Sequence, residues 1–324
     1  MSVERQRRAL MDSVRVGSGG AMKKVLIALS VVFCVTACGQ SSNASTSDAP
    51  VEAAELDATV GEVVLPFDRF AMTSWEEDVL MSATGASINV CAADKAVETK
   101  TVLPTDKRVH DEIYASEHYF GPWTEAQANR WGFVPPMTDA DLFYNGIEGG
   151  PQNAPEAMFL SEEHNYTPED EEVIGECRDS SSWVDLSASL TSESPWLTDY
   201  PIFEETWKEH EEAVRIIGEL SQCLTDNNLV PLKETPWLPT GSQSNLIDEE
   251  QIDMAVTVVD CKKSLDFTQR IANVEASLQQ PLVEKYSREM QEHRSAIDEM
   301  MPQAEKLIAE HPEVFFERNP KFGQ

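Results

Sequence analysis

The chain has 324 residues, 41% of them apolar and 25% charged, and 57 acidic against 25 basic residues give a formal net charge of −32. That length builds one large domain or two small ones, and the composition excludes global disorder and a polytopic membrane protein. The acidic field repels nucleic acid and draws basic proteins or cations, over a range that physiological salt limits to about 8–10 Å.

Residues Met22–Gly39 read MKKVLIALSVVFCVTACG: two lysines, an apolar run from Val25 to Ala37, then small residues before Cys38. This is the pattern of a secretion signal. At 1.5 Å per residue the run is about 20 Å long as helix, short of the roughly 30 Å hydrocarbon core, so it does not read as a permanent membrane span. Val35-Thr36-Ala37-Cys38 resembles the bacterial lipobox, which implies that the Cys38 thiol receives a diacylglyceryl group and becomes the mature N-terminus. Two acyl chains hold a protein on a membrane where one is marginal. Cys34 lies inside the apolar run and lacks this context.

The expected layout is an upstream extension over 1–21, with translation starting at Met22, a lipoprotein signal over 22–37, a flexible tether over 38–60, and a helical extracytoplasmic domain over 61–324. Cleavage removes six basic and two acidic residues with positions 1–37, so the mature chain is more acidic still. Within 61–324, the segments 61–200 and 201–324 are candidate halves, each with two cysteines in a faint internal echo.

In chain order, Val63–Leu65 is one of few strand-like pieces. Thr73 or Ser74 caps a helix running through Trp75, Val79, Leu80 and Ala83 toward Cys91, with acids in its first turn and Gly85 weakening its middle. Thr124-Glu125-Ala126-Gln127 is a capping box for a short helix that stops at Gly132. Thr138 to Tyr200 is rich in turn formers and reads as an irregular covering layer, interrupted by a helix from Thr167-Pro168 to about Cys177. Phe203, Trp207, Val214, Ile217, Leu220 and Leu224 recur as on one amphipathic helix carrying Cys223. Asp248 caps the next, through Ile252, Ala255 and Val259 to Cys261. From Ile271 to Ile308 the apolar period implies one very long helix or two in line, with Pro281 and Pro302 marking kinks or breaks. The fold class is therefore mainly α, an irregular helical domain with a long C-terminal helix.

Beyond the leader, the cysteines are Cys91, Cys177, Cys223 and Cys261. An even number outside the membrane indicates two disulfides. Three pairings are open, and chain order favours Cys91 with Cys177 and Cys223 with Cys261.

No G-x-S-x-G, P-loop, H-E-x-x-H, S-x-x-K or G-x-G-x-x-G pattern occurs. His110 and His118 lie eight residues apart, about 12 Å along a helix and too far for one ion, so they read as structural or surface residues. Asp139, Asp141 and Asn145-Gly146 fail as a calcium loop because Phe143 stands where an oxygen ligand is required. Tyr114, Tyr119, Phe120, Trp123, Trp131 and Phe133 form the densest aromatic stretch and read as core, rather than as a stacking platform for sugars. No catalytic residue, metal ligand or cofactor is assigned.

Cys91, the Tyr119-Phe120-Gly121 to Trp131-Gly132-Phe133 stretch, Glu219–Leu224 and Ala255–Lys262 together resemble a family of actinobacterial secreted lipoproteins of unknown function. Leu224 replaces that family's usual methionine, and Asn227-Asn228 its glycine-aromatic pair. The resemblance implies location and architecture only. The expected function is a non-catalytic binding or structural role on the outer face of the bacterial cytoplasmic membrane, anchored through lipidated Cys38, with a basic protein or a cation as partner. The alternatives are an envelope enzyme without a recognisable motif and a solute-binding lipoprotein of a transporter, the latter disfavoured by the scarcity of strands.

Overall fold

The computed structural model describes residues 53–155, 166–192 and 194–317. Cys34, Cys38, the leader and most of the expected tether lie outside the described residues.

The described chain opens with β1 (Glu55–Asp57) paired antiparallel to β2 (Glu62–Val64), Leu56 opposite Val63. Ala54 is buried, and its N–H donates to Asn273 Oδ1 at 3.2 Å. The expected 38–60 tether therefore enters the fold before its end, because Ala54 and Leu56 find apolar and hydrogen-bonding partners there.

Helix α1 (Ser74–Asp94) starts as its sequence dictates. Thr73 Oγ1 accepts the Glu76 N–H at 3.2 Å while Glu76 Oε2 accepts the Thr73 N–H at 2.8 Å, which satisfies two orphan donors reciprocally. Gly85 has a packing reason rather than being a flaw: a Cβ there would stand 2.6 Å from Thr101 Oγ1. The buried face of α1, with Val79, Leu80 and Ala83, lies along α11 (Ser287–Glu310) through Ile297, Met300 and Ala304.

Arg294 of α11 locks this pair. Its Nη2 donates to Glu76 Oε1 at 2.7 Å and its Nη1 to Glu76 Oε2 at 3.1 Å and to the Ala71 carbonyl at 3.0 Å. The pair is mostly shielded, with 22% and 15% of the side chains exposed, and bidentate. Arg294→Ala should therefore cost about 1–3 kcal/mol in urea unfolding. A loss below about 0.5 kcal/mol, typical of an exposed pair, would contradict this reading.

The stretch expected as an irregular layer is more helical than its composition suggests. It contains α3 (Asp139–Tyr144), α4 (Pro168–Asp179), α5 (Ser182–Thr191) and α6 (Pro195–Asp199), preceded by α2 (Glu125–Trp131). Thr167 caps α4 as its sequence indicates, and Thr138 and Ser181, which read as turn formers, likewise accept hydrogen bonds from the first turns of α3 and α5.

The single helix expected from Phe203 to Leu224 is interrupted. Short α7 (Phe203–Thr206) and a 3-10 turn (Trp207–Glu209) precede α8 (Glu211–Asp226), with His210 extended at φ −112°, ψ 109°. Phe203 packs on Phe120 and Trp207 on Trp237, and these anchors outweigh helical continuity. Val214, expected on the buried face, is 42% exposed, whereas Ile216, Ile217 and Leu220 are buried.

Helix α9 (Glu249–Ser264) is capped by Asp248, whose Oδ1 accepts the Gln251 N–H at 2.8 Å. After left-handed Asp266 comes α10 (Phe267–Lys285), and α11 follows it. The long C-terminal pattern thus breaks at Tyr286, while Pro281 and Pro302 sit inside their helices. A proline forfeits one backbone bond, and buried Ala276 and Gln279 before Pro281, and Met300 and Ala304 around Pro302, hold the helices together by packing. At the break, Tyr286 and Lys285 both donate to the Asp199 carboxylate.

The result is a mainly α fold with one two-stranded sheet among the described residues and two disulfides, Cys91–Cys177 and Cys223–Cys261, spanning 86 and 38 residues. The candidate halves 61–200 and 201–324 interlock. α2 packs on α9, α1 on α11, and the largest core cluster joins Phe67, Phe120 and Tyr200 to Leu220, Val259 and Ile271. The disulfides fit an oxidising, extracytoplasmic environment, and no helix among the described residues is long and apolar enough to cross a membrane.

Candidate functional site

The core holds an uncommon density of ionisable groups. Lys262, in the last turn of α9, is 1% exposed. A lysine there complements the helix dipole, but here the side chain turns inward. Its Nζ donates to four consecutive backbone carbonyls, Tyr119 at 3.2 Å, Phe120 at 2.6 Å, Gly121 at 3.1 Å and Pro122 at 2.9 Å.

The loop can present four oxygens to one point because of its backbone. Phe120 has φ +56° and Gly121 φ +83°. Glycine takes this region freely, but a bulky residue there is an outlier that its surroundings must hold in place. Phe120 is fully buried, edge-on to Tyr119, Phe203, Trp237 and Phe267, and its N–H donates to Glu204 Oε1 at 3.3 Å. Burial pulls the Lys262 ammonium down to about 7, and the Glu204 carboxylate opposes that shift.

Tyr119 links this cage to a second centre. Its hydroxyl donates to Glu275 Oε2 at 2.5 Å, and Tyr200 donates to Glu275 Oε1 at 3.3 Å. Burial pushes the Glu275 carboxyl up to about 8 against these two tyrosine bonds, with the Asp68 and Glu204 charges adding to the rise. Asp68, which accepts the Leu65 N–H at 2.8 Å, is raised by burial to about 6. One turn beyond Glu275, Gln279 Oε1 accepts the Phe67 N–H at 3.0 Å.

The Glu275 carboxyl titrates near 4.5 when unfolded and near 8 when folded. Across that window the folded state holds a proton the unfolded state lacks, so this group's contribution to stability falls as pH rises. Glu275→Gln keeps the neutral shape and removes the titration. Wild type should lose about 2–3 kcal/mol relative to Glu275→Gln between about pH 5 and pH 7, in paired urea titrations. A constant difference between the two proteins would show that Glu275 is ionised in the fold.

Of the residues singled out in the sequence, all four domain cysteines form the two disulfides. His110 lies in a π-helical turn (His110–Tyr114), with Nδ1 3.2 Å from Ser74 Oγ and Nε2 3.1 Å from Asp78 Oδ2. His118 is off that turn, and burial followed by the Lys262 charge pulls it down to about 3; its Nε2 is buried without a hydrogen-bond partner. The two histidines therefore serve different neighbourhoods. Asp141 accepts the Thr138 N–H and the Tyr114 hydroxyl, a capping role rather than a calcium loop. Tyr119, Phe120, Trp123, Trp131 and Phe133 are core residues, and Tyr114 is half-buried. Among the described residues no group of three or more His, Cys, Asp or Glu is arranged to hold a metal.

Sequence reading missed Lys262 and Glu275. The available signal was periodicity: Glu275 and Gln279 follow Ile271 at steps of four, on the face that also carries Ala272 and Ala276. No protein-family model matches the chain, and no match is found among curated proteins or solved structures.

Proposed function

We propose that the protein is a lipid-anchored extracytoplasmic protein with a non-catalytic binding or structural role at the cell envelope, held to the outer face of the cytoplasmic membrane through diacylated Cys38. The observation that carries the non-catalytic part is where the perturbed ionisable groups spend their bonding capacity. Lys262 is consumed by four main-chain carbonyls and Glu275 by two tyrosines, so both act to hold the core together. The two disulfides support the extracytoplasmic part, and the lipobox-like Val35–Cys38, with the resemblance to actinobacterial secreted lipoproteins, supports the anchor. An acidic exterior suits a basic protein or a cation as partner and disfavours nucleic acid.

Metabolic labelling with an alkyne fatty acid in the native host tests the anchor: wild type takes up label and Cys38→Ser does not. An unlabelled wild-type protein would overturn it. The non-catalytic role is tested by complementation. In a strain lacking the protein, Glu275→Gln should restore any envelope defect as fully as wild type, whereas a folded, exported Glu275→Gln that fails would show that the carboxyl does chemistry.

A further inference from the structure

We propose that the carbonyl oxygens of Tyr119, Phe120, Gly121 and Pro122 form a monovalent-cation site of potassium or ammonium type, which the chain fills from within with the Lys262 ammonium. Four main-chain oxygens converge on one nitrogen at 2.6–3.2 Å. An ammonium has three donors, so four acceptors exceed what one lysine can satisfy with directed bonds. The arrangement is a coordination shell rather than a set of paired hydrogen bonds, and rings of backbone carbonyls are how proteins replace the hydration shell of potassium.

Charge and distance select the class of ion. All four oxygens are neutral carbonyls, and the nearby Glu204 spends one carboxylate oxygen on the Phe120 N–H. Calcium needs oxygens at about 2.3–2.6 Å and commonly carboxylates, and magnesium about 2.0–2.1 Å. Three of the four distances exceed both ranges, and a shell of that width made only of neutral oxygens fits a larger monovalent ion. The Phe267 ring closes the apolar side, 5.5 Å from Nζ. Gly121 forms the least buried wall, with the Leu238 side chain packed over it. The backbone that aims the oxygens, with Phe120 and Gly121 both at positive φ, belongs to the loop and is built for a cation at that point whether or not the cation is covalently attached.

The test is the melting temperature of Lys262→Ala in potassium, ammonium and N-methylglucamine chlorides at equal ionic strength, beside wild type and Lys262→Met. The alanine variant opens the shell, whereas methionine fills it with an uncharged chain. For a site half-filled near ~10 mM and tested at ~200 mM salt, Lys262→Ala should melt about 4 °C higher in potassium or ammonium than in the bulky cation. Wild type and Lys262→Met should melt alike in all three salts. Equal melting of Lys262→Ala in the three salts, or an alanine variant that stays unfolded in each, overturns the proposal. So does a Lys262→Met response equal to that of alanine, which would place the ion elsewhere on the acidic surface.

Discussion

Lys262→Met should lower the stability of the fold by about 3–5 kcal/mol. Replacing a buried ion pair with apolar residues is often neutral, because both charges leave together. Here the partners are main-chain carbonyls of residues 119–122, which no substitution can remove. Methionine leaves buried acceptors without a donor, and each such group costs about 1–3 kcal/mol. It also frees a loop whose Phe120 sits at positive φ and whose ring packs against Trp237. The measured signature is a lower urea midpoint at unchanged m-value, with altered near-ultraviolet circular dichroism from the buried tryptophans. A loss under about 1 kcal/mol would mean that the ammonium contributes nothing beyond its own desolvation cost.

Removing the Cys91–Cys177 bridge, as Cys91→Ser with Cys177→Ser, should cost about 4.5 kcal/mol in the chain-entropy model, and removing Cys223–Cys261 about 4 kcal/mol. The two losses should differ more in character than in size. Cys177 is on α4, which packs against α1 in a small cluster with Ala92, Val97, Val173 and Ile174, apart from the main core. Cys261 lies inside the main core beside Lys262. The first double variant should therefore open locally, with proteolysis concentrated within 166–192 before global unfolding, and the second should unfold as one unit. Limited proteolysis with mass mapping separates the two. Uniform cleavage in the first variant would show that α4 is integral to the main cooperative unit.

Much of the fold is legible because local chemistry and tertiary packing agree. Thr73, Thr124, Thr167 and Asp248 each cap the helix that follows, and chain order gives the observed disulfide pairing. The reading fails where packing overrules local pattern. The period from Phe203 to Leu224 continues through His210, but Phe203 and Trp207 are recruited to Phe120 and Trp237 and the helix restarts. Pro281 and Pro302 stay inside helices, while Tyr286, with no sequence mark of a break, ends one. The buried polar centre is the least legible part. Lys262 follows Val258 and Glu275 follows Ile271 by four residues, so both stand on the apolar faces of their helices, but their charge argues for solvent, and only partners from other parts of the chain make their burial tolerable.

The proposed placement puts a disulfide-framed domain outside the cytoplasmic membrane on lipidated Cys38. The most direct measurement is the intact mass of the protein from the membrane fraction of its host, alkylated with and without prior reduction. The proposed anchoring gives a chain that begins at Cys38 and carries a diacylglyceryl mass, with four alkylation sites, at Cys91, Cys177, Cys223 and Cys261, that open only after reduction. A chain that keeps residues upstream of Cys38, or four thiols that alkylate without reductant, would contradict it.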